Sequence, residues 1–141
     1  MLRVGLDRAV ERGLIGGLTP LVADAEHLPL PDRCVDRVSI AFGLRNCTDK
    51  LQVLREARRV LKPGGRLFYC EHGLAPDDGV ARWQRRVEPV WKRLAGGCHL
   101  TRPITSAIAG AGFSIERSDQ MYLPGTPRIA GWSEWGVGVP R

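Results

Sequence analysis

The sequence predicts an α/β fold around a mostly parallel sheet with an antiparallel C-terminal strand. Val35–Ala41 and residues 66–71 are apolar runs of strand length. Between them, residues 49–61 repeat apolar side chains at helical spacing, which indicates a strand–helix–strand unit with parallel strands and a right-handed crossover. Residues 113–121 and 133–139 are two further strands with no helix between them, so they should be antiparallel neighbours or near-neighbours.

Length and composition limit the classes of protein. The chain has 141 residues, of which 43% are hydrophobic, so residues 1–141 can bury the core of one domain. No apolar run approaches the ~20 residues of a membrane span, and the charged N-terminus lacks the apolar segment of a signal peptide. Four cysteines without a C-x-x-C pair favour reduced thiols in a cytoplasmic protein and no metal site. The net charge of +6 is spread along the chain, and we expect no nucleic-acid partner.

The segments before the first predicted strand carry weaker signals. Residues 2–12 have apolar positions at helical spacing, and Gly13 suits the end of that helix. Residues 18–23 are a short apolar run that predicts a strand, although Pro20 weakens its first half. A polar loop should follow over residues 24–33.

The helix over residues 49–61 has the clearest signals. Thr48 or Asp49 can cap its start, and with Asp49 the residue Gln52 completes a capping-box-like pair. Residues 62–65 (KPGG) should turn the chain into the next strand. Its buried stripe is predicted to be Leu51, Leu54, Ala57 and Leu61.

Residues 80–95 form a long amphipathic helix in this interpretation, and residues 102–111 a short one. We expect Trp83 and Trp91 to pack on the sheet while the arginines of the long helix face water. In two alternative interpretations, this helix forms a lid over a bound amphipathic molecule, or it makes peripheral contact with a membrane surface.

Several stretches together indicate a family. ADAEHLPLPD (23–32), AFGLRNCTDK (41–50) and RVLKPGGRL (59–67) stand in order within a segment, residues 1–71, that resembles class I S-adenosylmethionine-dependent methyltransferases. The segment is most similar to the C-methyltransferases of ubiquinone and menaquinone biosynthesis. EPVWKRLAGGCHLTR (88–102) instead resembles the methyltransferase-like thiol methyltransferases. The resemblance implies a Rossmann-like fold, S-adenosyl-L-methionine as cofactor and a small or lipophilic methyl acceptor.

Ligands of parallel sheets bind beyond the carboxyl ends of the strands. The resemblance places Asp24 and Ala25 at the adenine ring, where a carboxylate can accept a hydrogen bond from the exocyclic amine. It places Ala41, Phe42 and Gly43 along the border of the cofactor, towards its methionine end.

Methyl transfer from a sulfonium needs in-line positioning, plus a base when the acceptor must lose a proton. His72, directly after a strand, is the base candidate, and Glu71 is the residue that would orient it. The alternative for His72 is a surface or packing role at the end of the strand.

One part of the family pattern is missing. The resemblance implies a first strand followed by a glycine-rich loop, and then an acidic residue that binds the ribose; residues 1–141 contain neither. We therefore expect the C-terminal two-thirds of the family fold, N-terminally truncated, with weak cofactor binding and an activity that is uncertain in this form. The remaining strands should stand in the order 35–41, 66–71, 133–139, 113–121. An exposed sheet edge could form a homodimer, and the alternative function is a non-catalytic interaction or scaffold module.

Overall fold

The fold is taken from a computed structural model that describes residues 2–14, 16–94, 101 and 103–141. Strands and helices alternate through the first half, and the last two strands follow in the second half. In chain order the elements are α1 (Leu2–Glu11), β1 (Val35–Ala41), a 3-10 turn (Leu44–Asn46), α2 (Lys50–Val60), β2 (Leu61–His72), α3 (Asp78–Leu94), α4 (Ile104–Gly110), β3 (Phe113–Tyr122), α5 (Arg128–Gly131) and β4 (Trp132–Pro140).

The strands form a sheet in the order β1-β2-β4-β3, which is the predicted order. β1 and β2 are adjacent and parallel, so the predicted strand–helix–strand unit is confirmed. β4 is antiparallel to both β2 and β3. Three of the four described strands therefore share one direction, but only one of the three neighbouring pairs is parallel. The prediction of a mostly parallel sheet is matched in strand direction and not in pairing.

Of the two predicted caps of helix α2, the structure has Asp49, and the helix supplies much of the core. The Asp49 carboxylate accepts a hydrogen bond from the backbone N–H of Gln52 at 3.0 Å. Leu54 and Ala57 are buried, but Leu51 is 40% exposed, so its place in the buried stripe is wrong. A step of three residues turns a helix by about 300°, which leaves Leu51 roughly 60° away from Leu54. The main core cluster consists of Leu44, Val53, Leu54, Ala57, Leu61, Leu67, Tyr69, Ile104, Ile108, Ala111 and Phe113.

The predicted turn at residues 62–65 is instead an irregularity within β2. The register with β1 shifts between Val35 and Arg37, opposite this segment. Gly64 has a φ of 76°, and a Cβ on Gly65 would lie 2.9 Å from the Lys62 carbonyl oxygen. The glycines therefore let β2 bend between Leu61 and Arg66, the two points at which its pairing with β1 stops and resumes.

Residues 18–23 do not form a strand, and this prediction is wrong. They lie outside the sheet, and only Asp24 and His27 form an isolated antiparallel bridge after them. Pro20 has no N–H to donate to a ladder, which weakens any pairing of this segment with β1. The segment and α1 leave apolar side chains 40–76% exposed: Val4, Leu6, Val10, Leu18, Leu21 and Val22.

Helix α3 is oriented differently from the prediction. Trp83 is 60% exposed, so its expected packing on the sheet is wrong, whereas Trp91 is partly buried. The buried residue beside Trp83 is Gln84, whose side-chain oxygen accepts from the Ala75 N–H at 2.9 Å and whose amide donates to the Ile129 carbonyl at 3.1 Å. Gln84 satisfies backbone groups that would otherwise be buried without partners, and this fixes the rotation of α3. Among the described residues, no helix is both long and apolar enough to span a bilayer.

Candidate functional site

The candidate site lies where β1 and β2 end. Ala41 is paired with Cys70, and the Phe42 N–H donates to the Cys70 carbonyl at 2.8 Å. Phe42 then takes a φ of 50°, in the left-handed region. For a bulky residue this backbone costs about 1–3 kcal/mol and is typical of functional sites. The chain leaves the strand sharply at Phe42 and enters the 3-10 turn through Gly43.

Glu71 holds this turn in place. Glu71 is 1% exposed, and its carboxylate accepts from the Leu44 N–H at 2.7 Å. Burial raises the pKa of Glu71, while hydrogen bonds from the backbone of Leu44 and Gly43 and the charge of Arg45 act in the opposite direction. Glu71 is therefore an anchor for the loop that carries Gly43.

His72 occupies the other face of β2, because successive residues of a strand point to opposite faces. The structure therefore does not bring the Glu71 carboxylate and the imidazole together. Nδ1 of His72 lies 3.1 Å from Oγ of Ser133, a fully buried residue of β4. Burial lowers the pKa of His72, as does the charge of Arg45, against a backbone hydrogen bond with Trp132. The neutral form, which can accept a proton, is favoured.

The Phe42 ring contacts the His72 ring at a tilt, and the Arg45 guanidinium lies over the Phe42 ring. The centroid of the Phe42 ring lies 4.8 Å from that of His72, and the Arg45 guanidinium carbon is 5.7 Å from the Phe42 centroid. Sequence reasoning missed both Ser133 and Arg45. Arg45 stands in the matched GLRN stretch, so the motif itself carried that signal, whereas Ser133 depends on the register of β2 with β4.

Asp24 and Ala25 lie beside the start of α2. The Asp24 carboxylate accepts from the Glu26 N–H at 2.9 Å and remains 65% exposed. Glu26 in turn accepts from the Asp49 N–H at 2.8 Å, which fastens the segment to the helix start. Ala25 packs against the core cluster. Since α2 begins at the edge where β1 ends, the structure brings Asp24 and Ala25 to the same edge as Phe42.

The loop after Asp24 is held by an ion pair on helix α2, Glu56–Arg59, which the sequence did not reveal; we call this pair the Glu56–Arg59 clamp. Glu56 on α2 accepts from the Leu28 N–H at 2.8 Å and pairs with Arg59 at 2.8 Å. Arg59 also donates to the carbonyls of Leu28 and Leu30, both at 2.9 Å, and to the Asp32 carboxylate at 2.7 Å. The hydrogen bond from Arg59 lowers the pKa of Glu56 to about 2.

Cysteine and metal chemistry find no support in the described part of the chain. No group of three or more His, Cys, Asp or Glu side chains there could hold a metal ion. Cys34, Cys47 and Cys70 are free thiols, and burial raises the pKa of Cys47 and Cys70, which disfavours the nucleophilic thiolate. Cys98 lies outside the described residues.

The fold resembles those of several solved structures. The chain is similar to the YcgJ protein of Bacillus subtilis (TM-score 0.76, 16% identity, 100% of this chain and 78% of that one). It is similar to an S-adenosylmethionine-dependent methyltransferase of Methanosarcina mazei (0.74, 17%, 99% and 76%). It is also similar to the [4+2]-cyclase SpnF (0.74, 20%, 99% and 62%). At these identities the likeness concerns the fold alone, which is the Rossmann-like fold of S-adenosylmethionine-dependent methyltransferases.

Sequence comparison is more specific. Residues 1–76 match the ubiE/COQ5 methyltransferase family, and the chain belongs to that family. It is 72% identical over 71 residues to the ubiquinone/menaquinone biosynthesis C-methyltransferase UbiE of Acidiphilium cryptum, and 61% identical over 71 residues to that of Bordetella avium. These matches cover 50% of this chain and 28% and 27% of the two relatives. The predicted resemblance to the quinone C-methyltransferases is confirmed, whereas no relative named here tests the likeness of residues 88–102 to thiol methyltransferases.

Proposed function

We propose that this chain holds part of the S-adenosyl-L-methionine site of a methyltransferase and presents a base to a small or lipophilic acceptor. One observation carries the proposal: Asp24 and Ala25, the Ala41–Phe42–Gly43 corner and His72 lie at the same edge of the sheet. Membership of a methyltransferase family supports methyl transfer as the reaction.

The residues fit the cofactor in part. Asp24 has an exposed carboxylate that can accept from an adenine amine. The N–H groups of Phe42, Gly43 and Leu44 already donate to Cys70 and Glu71, so this corner offers shape and close approach rather than free donors. S-adenosyl-L-methionine, when bound, supplies an activated methyl group.

His72 would remove the acceptor's proton. Its imidazole is held by Ser133 on one side and by the Phe42 ring on another, so its orientation is fixed before substrate arrives. When Nδ1 carries the hydrogen and donates to Ser133, Nε2 is the atom that takes up the proton. Glu71 contributes through the loop it anchors, as a positioning residue.

The proposal is tested by titrating S-adenosyl-L-methionine into the 141-residue chain, followed by NMR chemical shifts. Ribose and glycine-loop contacts are each worth about 1.5–3 kcal/mol when charge-assisted, so without them we expect a Kd of roughly millimolar. Shifts should be confined to residues 24–25 and 41–43. Asp24→Ala should weaken binding about tenfold, whereas Asp36→Ala, an exposed acid on β1, should leave it unchanged. Equal affinity of the two variants for S-adenosyl-L-methionine would contradict the proposed adenine contact. Micromolar binding by the 141-residue chain would contradict the expectation that its cofactor site lacks the ribose and glycine-loop contacts.

A non-catalytic interaction module is the second candidate function. The observation that favours it is the number of exposed apolar side chains on α1 and at Leu21 and Val22. A homodimer through the outer edge of β1 and peripheral membrane contact through α3 are proposals of the same kind, as is a cytoplasmic location. Analytical ultracentrifugation and vesicle co-sedimentation measure the first two directly; a strictly monomeric chain with no vesicle binding would contradict both.

A further inference from the structure

A basic cleft lies at the end of the sheet opposite the candidate site. It has a volume of about 560 Å³ and is formed where β1 and β2 begin and where α2 and β4 end. At ~3.3 Å per residue, the length of β1 places it roughly 20 Å from Ala41. Its charged lining residues are Asp32, Arg33, Arg55, Arg58, Arg59, Lys62 and Arg141.

The cationic side chains of the cleft are only partly neutralised. Arg59 is paired with Glu56 and Asp32, and Lys62 lies 2.9 Å from the Asp36 carboxylate. Arg33 and Arg55, in contrast, form no ion pair or side-chain hydrogen bond with any other residue that the structure describes. Two guanidinium groups that line the cleft are therefore available to a ligand.

Two further arginines are held in position by hydrogen bonds to backbone oxygens. Arg58 donates at 2.7 Å to the backbone oxygen of Arg141, which is part of a carboxylate in the 141-residue chain, and Arg141 donates to the Ala109 carbonyl at 2.6 Å. The Ala109 carbonyl orients the Arg141 guanidinium but does not neutralise it. The cleft thus combines two fixed and two free guanidinium groups.

The electrostatic attraction of the end of helix α2 does not by itself explain why so many arginines line the cleft. The end of α2 carries about half a negative charge, which attracts cations such as Arg58 in the last turn. Three guanidinium groups without a carboxylate partner, those of Arg33, Arg55 and Arg141, exceed that charge several-fold. Arg33 moreover belongs to the loop before β1, where it takes a left-handed φ of 51° that most non-glycine residues avoid.

We propose that this cleft binds a phosphate-bearing anion, with a diphosphate as the ligand group. Guanidinium groups bind phosphate oxygens through paired N–H donors, and several of them together demand more than one negative charge. A cleft of this volume accommodates a small ligand. Leu61, Pro63 and Pro140 line it as well and offer an apolar surface to the organic part of such a ligand.

The test is calorimetric titration of inorganic pyrophosphate into the 141-residue chain at low salt. We expect Arg33→Gln/Arg55→Gln to weaken binding about tenfold or more. The matched control, Arg85→Gln/Arg93→Gln, removes the same charge from exposed positions of α3 and should change the Kd less than about twofold. Equal weakening by both variants, or no binding at 10 mM pyrophosphate, roughly the limit of a specific site, overturns the proposal.

Neither variant should unfold, because the four arginines are exposed, and thermal melting checks this. Vesicles containing phosphatidylglycerol distinguish the source of the phosphate group. Co-sedimentation lost only in the cleft variant identifies a lipid headgroup, and pyrophosphate binding without co-sedimentation identifies a soluble ligand. If the cleft variant and the α3 control variant lose co-sedimentation to the same extent, vesicle binding does not depend on the cleft, and this result contradicts a lipid headgroup as its ligand.

Discussion

Arg59→Gln should release the loop that follows the proposed adenine contact. Arg59 makes five hydrogen bonds, two to Glu56, one to Asp32 and two to backbone carbonyls of the loop. Adding about 1.5–3 kcal/mol for each hydrogen bond overestimates the loss of unfolding free energy. The Arg59 side chain is 31% exposed, so water forms some of the lost hydrogen bonds in the variant. Breaking a fully buried pair costs about 3–5 kcal/mol, so for this partly buried one we expect about 2–4 kcal/mol of unfolding free energy.

Urea denaturation at pH 7 measures this loss directly. A change of that size should lower the Tm by about 5–15 °C in a chain of this length. Hydrogen exchange should show residues 28–32 opening before the sheet. Arg55→Gln, one turn earlier on α2 and exposed, is the control and should stay within about 0.5 kcal/mol of the parent chain. If both variants have the same urea midpoint, Arg59 does not clamp the loop and the reasoning fails.

Three further changes test the core, the ion pair and the sheet. Leu54→Asp buries an unpaired carboxylate in the core cluster and should cost several kcal/mol, roughly, so an unchanged Tm would show that this face is not core. The pKa of Glu56 is about 2 in the fold and about 4.3 in the unfolded chain. Its contribution is therefore complete above about pH 4.3 and lost as pH falls towards 2; allowing for solvent screening it is about 1–2 kcal/mol. Glu56→Gln should accordingly flatten the pH dependence of the urea midpoint between pH 7 and 3, and an unchanged slope would contradict the pairing. Gly136→Ala would put a Cβ 2.2 Å from the Arg117 carbonyl oxygen and should cost about 2–4 kcal/mol, whereas Gly5→Ala, with nothing within 4 Å, should be neutral or slightly stabilising; equal Tm values would argue against this strand contact.

The local pattern of the sequence was sufficient for β1, α2 and residues 66–71 of β2, but not for the start of β2 at Leu61. Their periods differ, 2 for strands and 3.6 for the helix, and Asp49 marks the helix start, so no long-range information was needed. Periodicity does not say which face a distant element covers. Trp83 was misplaced for this reason, because the backbone at Ala75 and Ile129 selects Gln84 for burial.

In the candidate site, too, some features follow from the local sequence and others depend on distant parts of the chain. Parallel neighbouring strands bring Phe42 and His72 to one edge, which follows from chain order. The partnership of His72 with Ser133 joins residues 61 positions apart and depends on the register of β2 with β4. The Glu56–Arg59 clamp depends on where the loop crosses α2, which local patterns do not encode.

The place of β4 in the sheet has a consequence during synthesis on the ribosome. β4 is the last strand in the sequence, yet it stands between β2 and β3. β1, α2 and β2 can assemble as soon as residue 72 has emerged, whereas β3 has no ladder partner until residues 132–140 have been made. The nascent chain therefore carries an unpaired strand and the open side of β2 for the whole of that interval. Translation that pauses within this interval would expose both to neighbouring chains, and the speed of the final stretch decides how long that exposure lasts.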